Sequence, residues 1–142
     1  MPLRVLMVCT GNTCRSPLAE GILKTLLAAE PCVVVSSAGT AGFGGAPATR
    51  LAREVARAHG VDLSGHRSTE LTRQGIERAD LVLAMTREHE DAVVSLSPKA
   101  AARTFLLSEF AGGPREDVPD PVGGTLDDYE AVHAMLLAHL RN

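Results

Sequence analysis

The sequence contains no tryptophan, one tyrosine and three phenylalanines in 142 residues, so a site that grips a phenyl ring by stacking has little to be built from. Such pairs contribute about 0.5–1.5 kcal/mol each where they occur. Cysteine is also sparse. Cys9, Cys14 and Cys32 all lie in the first quarter of the chain, and an odd number excludes the disulfide framework of a small secreted domain. No second Cys/His cluster stands at ligand spacing and the five histidines are scattered, which argues against zinc or any other metal cofactor. There is no basic excess: 14 basic against 17 acidic side chains leave a net charge of −3, without the footprint of a nucleic-acid partner. Long apolar runs are missing too. The segment from Leu3 to Val8 is too short for a signal peptide core and far too short to span a bilayer. These absences lead us to expect a cytoplasmic protein with no membrane partner.

What remains is a composition of 45% apolar and 22% charged residues, typical of a folded globular chain. With no repeats and no low-complexity linker, residues 1–142 read as one domain. Leu3 to Val8 reads as a strand that runs into the loop Cys9-Thr10-Gly11-Asn12. Ser16-Pro17 then has the form of an N-cap followed by proline at the first helical position, with Leu18, Ile22, Leu26 and Leu27 as the apolar face up to Glu30-Pro31. Cys32 to Ala38 is a second strand. A glycine-rich loop from Gly39 to Gly45 precedes a helix to about His59, with Leu51, Val55 and Ala58 on one side. A short helix fits Thr69 to Arg78, and Leu81 to Met85 is a third strand, apolar throughout, as in a strand buried on both faces. A helix over Arg87–Leu96, a fourth strand over Arg103–Leu107, a loop from Ala111 to Gly124 and a helix over Leu126–Leu140 complete the chain. Alternating strands and helices predict an α/β fold with a parallel sheet flanked by helices on both faces. Ligands in such sheets sit at the carboxyl ends of the strands, where the loop after the first strand lies.

That loop carries the chemistry. In Cys9-Thr10-Gly11-Asn12-Thr13-Cys14-Arg15-Ser16-Pro17 a cysteine and an arginine are separated by five residues, between a strand and a helix N-terminus. Backbone N–H groups from Thr10 through Cys14 can converge into an anion nest, and the helix start adds unpaired donors. Arg15 offers a planar fork for two phosphate oxygens. The same positive field favours the thiolate of Cys9, a nucleophile toward phosphorus. Ser16 is placed to donate to the sulfur. A buried strand-end cysteine followed by a helix cap is the plain alternative. A nucleotide-binding loop is excluded, because the Gly-Lys-Ser/Thr ending is missing. A leaving group would need a proton, and Asp120, held by Pro121, is the candidate acid; Asp117 is the alternative, and either could simply form a turn.

The run Val8 to Pro17 resembles the signature of the low-molecular-weight protein phosphatases, usually called low-molecular-weight tyrosine phosphatases. Ser37-Ala38-Gly39, Ala79 to Met85 and Asp120-Pro121 extend the likeness along the chain. The resemblance implies a single domain with a four-stranded parallel sheet, a phosphate-binding loop after the first strand, no metal, and a phosphocysteine intermediate on phosphorylated protein substrates. It implies Cys9, Arg15 and Asp120 as catalytic residues, with Asp120 acting first as acid and then as base. It further implies that the side chain of Asn12, with a left-handed backbone, is fixed by Ser37 and His66. His59, His89, His133 and His139 receive no role, Arg53 and Arg57 read as a solvated helix face, and Tyr129 reads as packing.

Three functions compete. A protein phosphatase fits all the motifs. An arsenate reductase of the same fold would need two cysteines downstream, and none follows Cys32. A silent phosphate-binding module would be expected to lose Cys9, Arg15 or Asp120. For the substrate, tyrosine-directed relatives wall the pocket with aromatic residues after the Asp-Pro pair, whereas Val122-Gly123-Gly124 stand here. Thr13 replaces their bulkier aliphatic residue, and Phe43 is the one aromatic wall in reach. Both features resemble the protein-arginine phosphatase branch, so phosphoarginine is favoured and phosphotyrosine is the alternative. Cys14, in the same tight loop as Cys9, is a candidate redox partner for it.

Overall fold

The computed structural model describes residues 3–30, 32–41, 44–113 and 115–141. Four parallel strands, β1 (Leu3–Cys9), β2 (Val33–Gly39), β3 (Leu81–Ala84) and β4 (Thr104–Leu106), form one sheet in the order β2-β1-β3-β4. Cys9 pairs with Gly39, and Val8 lies between Ala38 and Ala84. The chain steps from β1 outward to β2 and then back across to β3, so the order reverses beside the end of β1. This switch point is where an open α/β sheet leaves a crevice.

The period of two along β1 sorts its side chains between two cores. Val5, Met7 and Cys9 face a cluster with Leu18 and Ile22 of α1 (Arg15–Leu26), Val55 of α2 (Arg50–Ala58), and Val132 and Leu136 of α6 (Leu126–Leu140). Leu6 and Val8 face the second cluster, with Ile76 of α3 (Arg73–Arg78), Val82, and Val93 of α4 (Arg87–Leu96). With helices on both faces, β1 is buried from Val5 to Cys9. Burying a side chain such as Leu136 contributes about 1.5–3 kcal/mol. Cys9 therefore emerges from the middle of the sheet, on the side of α1 and α6.

Several element boundaries differ from the sequence reading, for identifiable reasons. Helix α1 starts at Arg15 with Cys14 as its cap residue, so Ser16 lies inside the first turn and makes no cap; its hydroxyl is used elsewhere. The helix ends at Leu26, which is exposed, and its buried face is Leu18 and Ile22. In α2 the buried residues are Ala52, Val55 and Ala56, whereas Ala58 is exposed. Thr49 caps that helix by accepting the Ala52 N–H. Helix α3 begins only after Thr72, because Glu70 forms a bridge with Gly39 that extends the chain beside β2. The fourth strand is shortened by a 3-10 turn over Pro98–Arg103 and by the short helix α5 (Leu107–Phe110). Ser108 turns the chain there, since its hydroxyl donates to the Glu116 carbonyl at 2.8 Å and accepts the Glu116 N–H at 2.9 Å.

Candidate active site

The loop between β1 and α1 is tied down on its outside. The carbonyls of Cys9, Thr10 and Thr13 accept N–H groups of Thr40, Ala41 and Thr49, each at 2.9 Å. The Asn12 carbonyl meets His66 Nε2 at 2.7 Å, and the Cys14 carbonyl takes the Leu18 N–H at 3.0 Å. In a trans peptide the following N–H points opposite to the carbonyl, and no peptide bond in the described residues is cis. The N–H groups of Thr10, Gly11, Thr13, Cys14 and Arg15 are thereby turned away from these partners, toward the inside of the loop. This is an anion nest continuous with the N-terminus of α1. Two residues make the curvature possible. Asn12 adopts φ 56°, a left-handed conformation that asparagine tolerates. Gly39 lies under the loop, where a Cβ would meet the Thr10 carbonyl oxygen at 2.5 Å and the Asn12 nitrogen at 2.9 Å.

Cys9 is 2% exposed, and its sulfur is 2.9 Å from Ser16 Oγ. The direction of that bond follows from its neighbours. Thr69 N–H donates to Asn12 Oδ1 at 2.8 Å, which leaves the Asn12 amide nitrogen as donor to Ser16 Oγ, also at 2.8 Å. The serine oxygen thus accepts from asparagine and has its single proton available for the sulfur. The chain from Thr69 to Cys9 delivers one fixed O–H donor to the sulfur.

Ser37 does not take the expected place. It donates to Glu20 Oε1 at 2.5 Å, and Asn12 is held by Thr69 and Ser16 instead. His66 touches the backbone carbonyl of Asn12 and not its side chain.

Arg15 is 5% exposed. Its Nη1 donates to the Val118 carbonyl at 3.0 Å and its Nη2 to Thr10 Oγ1 at 3.4 Å. The carboxylate of Asp120 lies 3.6 Å from Nη2, and its other oxygen receives the Val122 N–H at 3.0 Å. Asp120 is about half exposed, so this ion pair is screened by solvent. Asp117, the alternative acid, accepts the Arg87 N–H at the start of α4 at 2.9 Å. Cys14 is buried against Tyr129 Oη at 3.7 Å and Thr49 Oγ1 at 3.9 Å. Burial pushes its thiol above the ordinary value, and the neighbouring Asp120 and Cys9 push the same way, against the two hydroxyls. Thr13 is half-buried, with its backbone carbonyl bound to Thr49. Phe43 lies outside the described residues.

One neighbour has no role in the sequence reading. His89 Nε2 is 2.8 Å from Thr10 Oγ1 and its Nδ1 is 3.0 Å from Thr86 Oγ1. A local signal does point to it. Thr86 follows a buried strand and caps α4, which puts residue 89 in the first helical turn, at the carboxyl edge of the sheet. His59 and His133 stack on each other at 3.9 Å between ring centroids, with Glu130 on His59, and belong to a different face. Among the described residues no cluster of three or more His, Cys, Asp or Glu could hold a metal ion, and no helix is long and apolar enough to cross a membrane.

A nest of inward amides, a buried guanidinium and a hydrogen-bonded thiol at its base can together bind a tetrahedral oxyanion and attack it. Residues 4–142 match the family model described as low molecular weight phosphotyrosine protein phosphatase. The chain is 42% identical to a protein-arginine-phosphatase of Geobacillus stearothermophilus, over 92% of this chain and 86% of that one. It is 39% identical to the low molecular weight protein-tyrosine-phosphatase Etp of Escherichia coli (strain K12), over 93% and 86%. A solved arginine phosphatase, a cysteine-to-serine mutant with a phosphorylated active site serine, superposes with a TM-score of 0.93 at 38% identity, covering 98% of this chain and 91% of that one.

Proposed function

The chain belongs to the low molecular weight phosphotyrosine protein phosphatase family, and on that premise we propose that it removes phosphate from phosphorylated protein side chains through a phosphocysteine at Cys9, with phosphoarginine as the favoured substrate. The observation that carries the reading is the set of outward-tied carbonyls around Cys9, with Arg15 buried at the rim. In the first step the Cys9 thiolate attacks phosphorus, the phosphoryl oxygens rest on the loop amides and Arg15, and Asp120 gives its proton to the departing group. In the second step Asp120 takes a proton from water, which attacks the phosphocysteine and returns the thiolate. The phosphorylated active-site serine of the related solved protein supports transfer onto this position. Ser16 supports the sulfur as a leaving group, and Asn12, with Thr69 behind it, fixes Ser16.

The choice of phosphoarginine rests on the aromatic-poor rim around Val122, on Thr13, and on the likeness to the Geobacillus arginine phosphatase. A guanidinium needs polar partners more than ring stacking, and Thr13 offers a hydroxyl. Phosphotyrosine is the second reading, favoured by the likeness to the Escherichia coli tyrosine phosphatase. The cytosol keeps thiols reduced, and a free catalytic cysteine suits a cytoplasmic protein. There Cys14, a buried thiol beside Cys9, can displace water from a Cys9 sulfenic acid formed by peroxide, giving a disulfide that thiols reverse. The substrate test is kcat/KM on matched phosphoarginine and phosphotyrosine peptides. We expect a preference for phosphoarginine of about tenfold or more. A preference for phosphotyrosine would select the second reading.

A further inference from the structure

We propose that His89 is a positioning residue of this site: as a neutral imidazole with its proton on Nδ1, it accepts a hydrogen bond from the Thr10 hydroxyl and so keeps the Thr10 oxygen lone pairs facing Arg15. The inference rests on the reading of Arg15 as the phosphate fork. It is carried by the balance of donors and acceptors. A guanidinium only donates, so Thr10 Oγ1 must accept from Arg15 Nη2. The Thr10 hydroxyl has one proton of its own, and His89 Nε2 lies 2.8 Å away. On the other side of the ring, Thr86 Oγ1 already accepts the backbone N–H of His89 at 3.2 Å and has a second lone pair for Nδ1–H at 3.0 Å. The chain Nδ1–H to Thr86, Thr10 O–H to Nε2, and Arg15 N–H to Thr10 gives every bond a donor and an acceptor and also uses the Thr10 proton, which the opposite tautomer leaves to solvent. With its O–H donating to His89, the Thr10 oxygen is also the stronger acceptor for Arg15.

The surroundings exclude the charged ring. His89 is 4% exposed, and burial, followed by the positive charge of Arg15, lowers its pKa from 6.5 to about 4; Asp117 and Asp120, which face it from the loop before α6, offset only part of this. The ring is therefore neutral at working pH and can act as an acceptor. His89 touches no substrate. It acts through Thr10, as the second partner of a ligand orients that ligand in a metal site.

The side chains that could replace His89 differ in reach, and this supplies the test. His89→Gln can place its amide oxygen near the position of Nε2 and accept the Thr10 proton. His89→Asn can imitate Nδ1 toward Thr86 but falls short of Thr10. His89→Leu fills space only. We expect kcat/KM on para-nitrophenyl phosphate, and affinity for inorganic phosphate as a competitive inhibitor, to fall about tenfold in the Leu and Asn variants. The Gln variant should return to within about threefold of wild type on both. A Gln variant no better than Leu, or three variants all at the wild-type level, would overturn the proposal. A second measurement needs no variant: long-range ¹H–¹⁵N correlation spectra of the wild type at about pH 6.5 should show the Nδ1–H tautomer of His89. An Nε2–H tautomer, or a ring that titrates at the ordinary histidine value, would also overturn it. If phosphate release by the wild type proved independent of Cys9, the phosphatase reading would fall. Binding of inorganic phosphate, which uses Arg15 and not the thiolate chemistry, would still decide the case for His89.

Discussion

Residues 9–16 and residues 117–124 face each other across Arg15, and the chain holds them very differently. In the first segment Cys9, Asn12, Cys14, Arg15 and Ser16 are all buried, the carbonyls of Cys9, Thr10, Asn12 and Thr13 are bound from outside, and that of Cys14 by the first turn of α1. In the second, Val118 is buried, but Asp120 is half exposed and Val122 is 60% exposed. The ties between the segments run through Arg15, to the Val118 carbonyl and to Asp120. A binding cup whose donors are fixed in advance needs no reorganisation when an oxyanion arrives. As the proposed acid, Asp120 would work under another requirement, because it would have to follow leaving groups of different size and chemistry, and an exposed loop can do so. The difference separates what all substrates share, the phosphoryl group, from what distinguishes them.

The largest expected effect breaks the rigid side chemically while leaving it folded. Cys9→Ser should lose a factor of about 10⁴ or more in turnover, with unchanged Tm and retained phosphate binding. Retention of about a tenth of the wild-type rate would remove Cys9 as nucleophile. On the open side, Asp120→Asn should cost about 10²–10⁴ on a substrate with a poor leaving group. On para-nitrophenyl phosphate, whose phenolate leaves unaided, the loss should be far smaller. Equal losses on both substrates would mean that Asp120 is structural.

The rigid side should also show in the pH dependence of stability. Well above pH 6.5 His89 is neutral in both folded and unfolded chains and contributes no pH dependence. As the pH falls from 6.5 to about 4, the unfolded chain binds a proton that the folded chain refuses, so stability declines, by up to about 3 kcal/mol, and the decline then stops. Urea unfolding at about pH 7 and about pH 4.5 should show a larger loss in the wild type than in His89→Gln, the carboxylates cancelling in the difference; equal losses would contradict it. The smallest contrast is steric. Gly39→Ala places a methyl group against the Thr10 carbonyl and should cost about 1–3 kcal/mol, together with phosphate affinity. Val122→Ala, on the open side, should stay within about 0.5 kcal/mol. Equal values, read from Tm and urea midpoints, would erase the distinction between the two segments.

Much of this arrangement is legible from the residues, and where it is not, the reason is local. The alternation of apolar strands with helical periodicities is dictated by burial on both faces, so strands over 3–8 and 81–85, each within one residue of the observed strand, and helices over 87–96 and 126–140 follow from pattern. Cys9, Arg15 and Asp120 come together because each lies at the carboxyl edge of the sheet. Ser16 reads both as a cap and as a donor to the Cys9 sulfur; the structure has the second use and not the first, and only the fold shows Asn12 as the group that holds its hydroxyl. The threonine caps at Thr49, Thr72, Thr86 and Thr125 mark four helix starts that the apolar period alone leaves loose. Ser37 and His89 exchange importance for a reason that lies beyond the one local signal, the Thr86 cap. Which side chain reaches the loop depends on strand order, and β3 stands as close to the end of β1 as β2 does.

The central claim is that phosphate passes through the sulfur of Cys9. The Asp120→Asn protein, mixed with a phosphorylated peptide and quenched within one turnover, tests it most directly by mass spectrometry of the peptide containing residues 5–15. The account predicts a phosphate adduct on Cys9 that forms before free phosphate is released and disappears as turnover proceeds. Free phosphate appearing with no adduct, or an adduct on a residue other than Cys9, would contradict it.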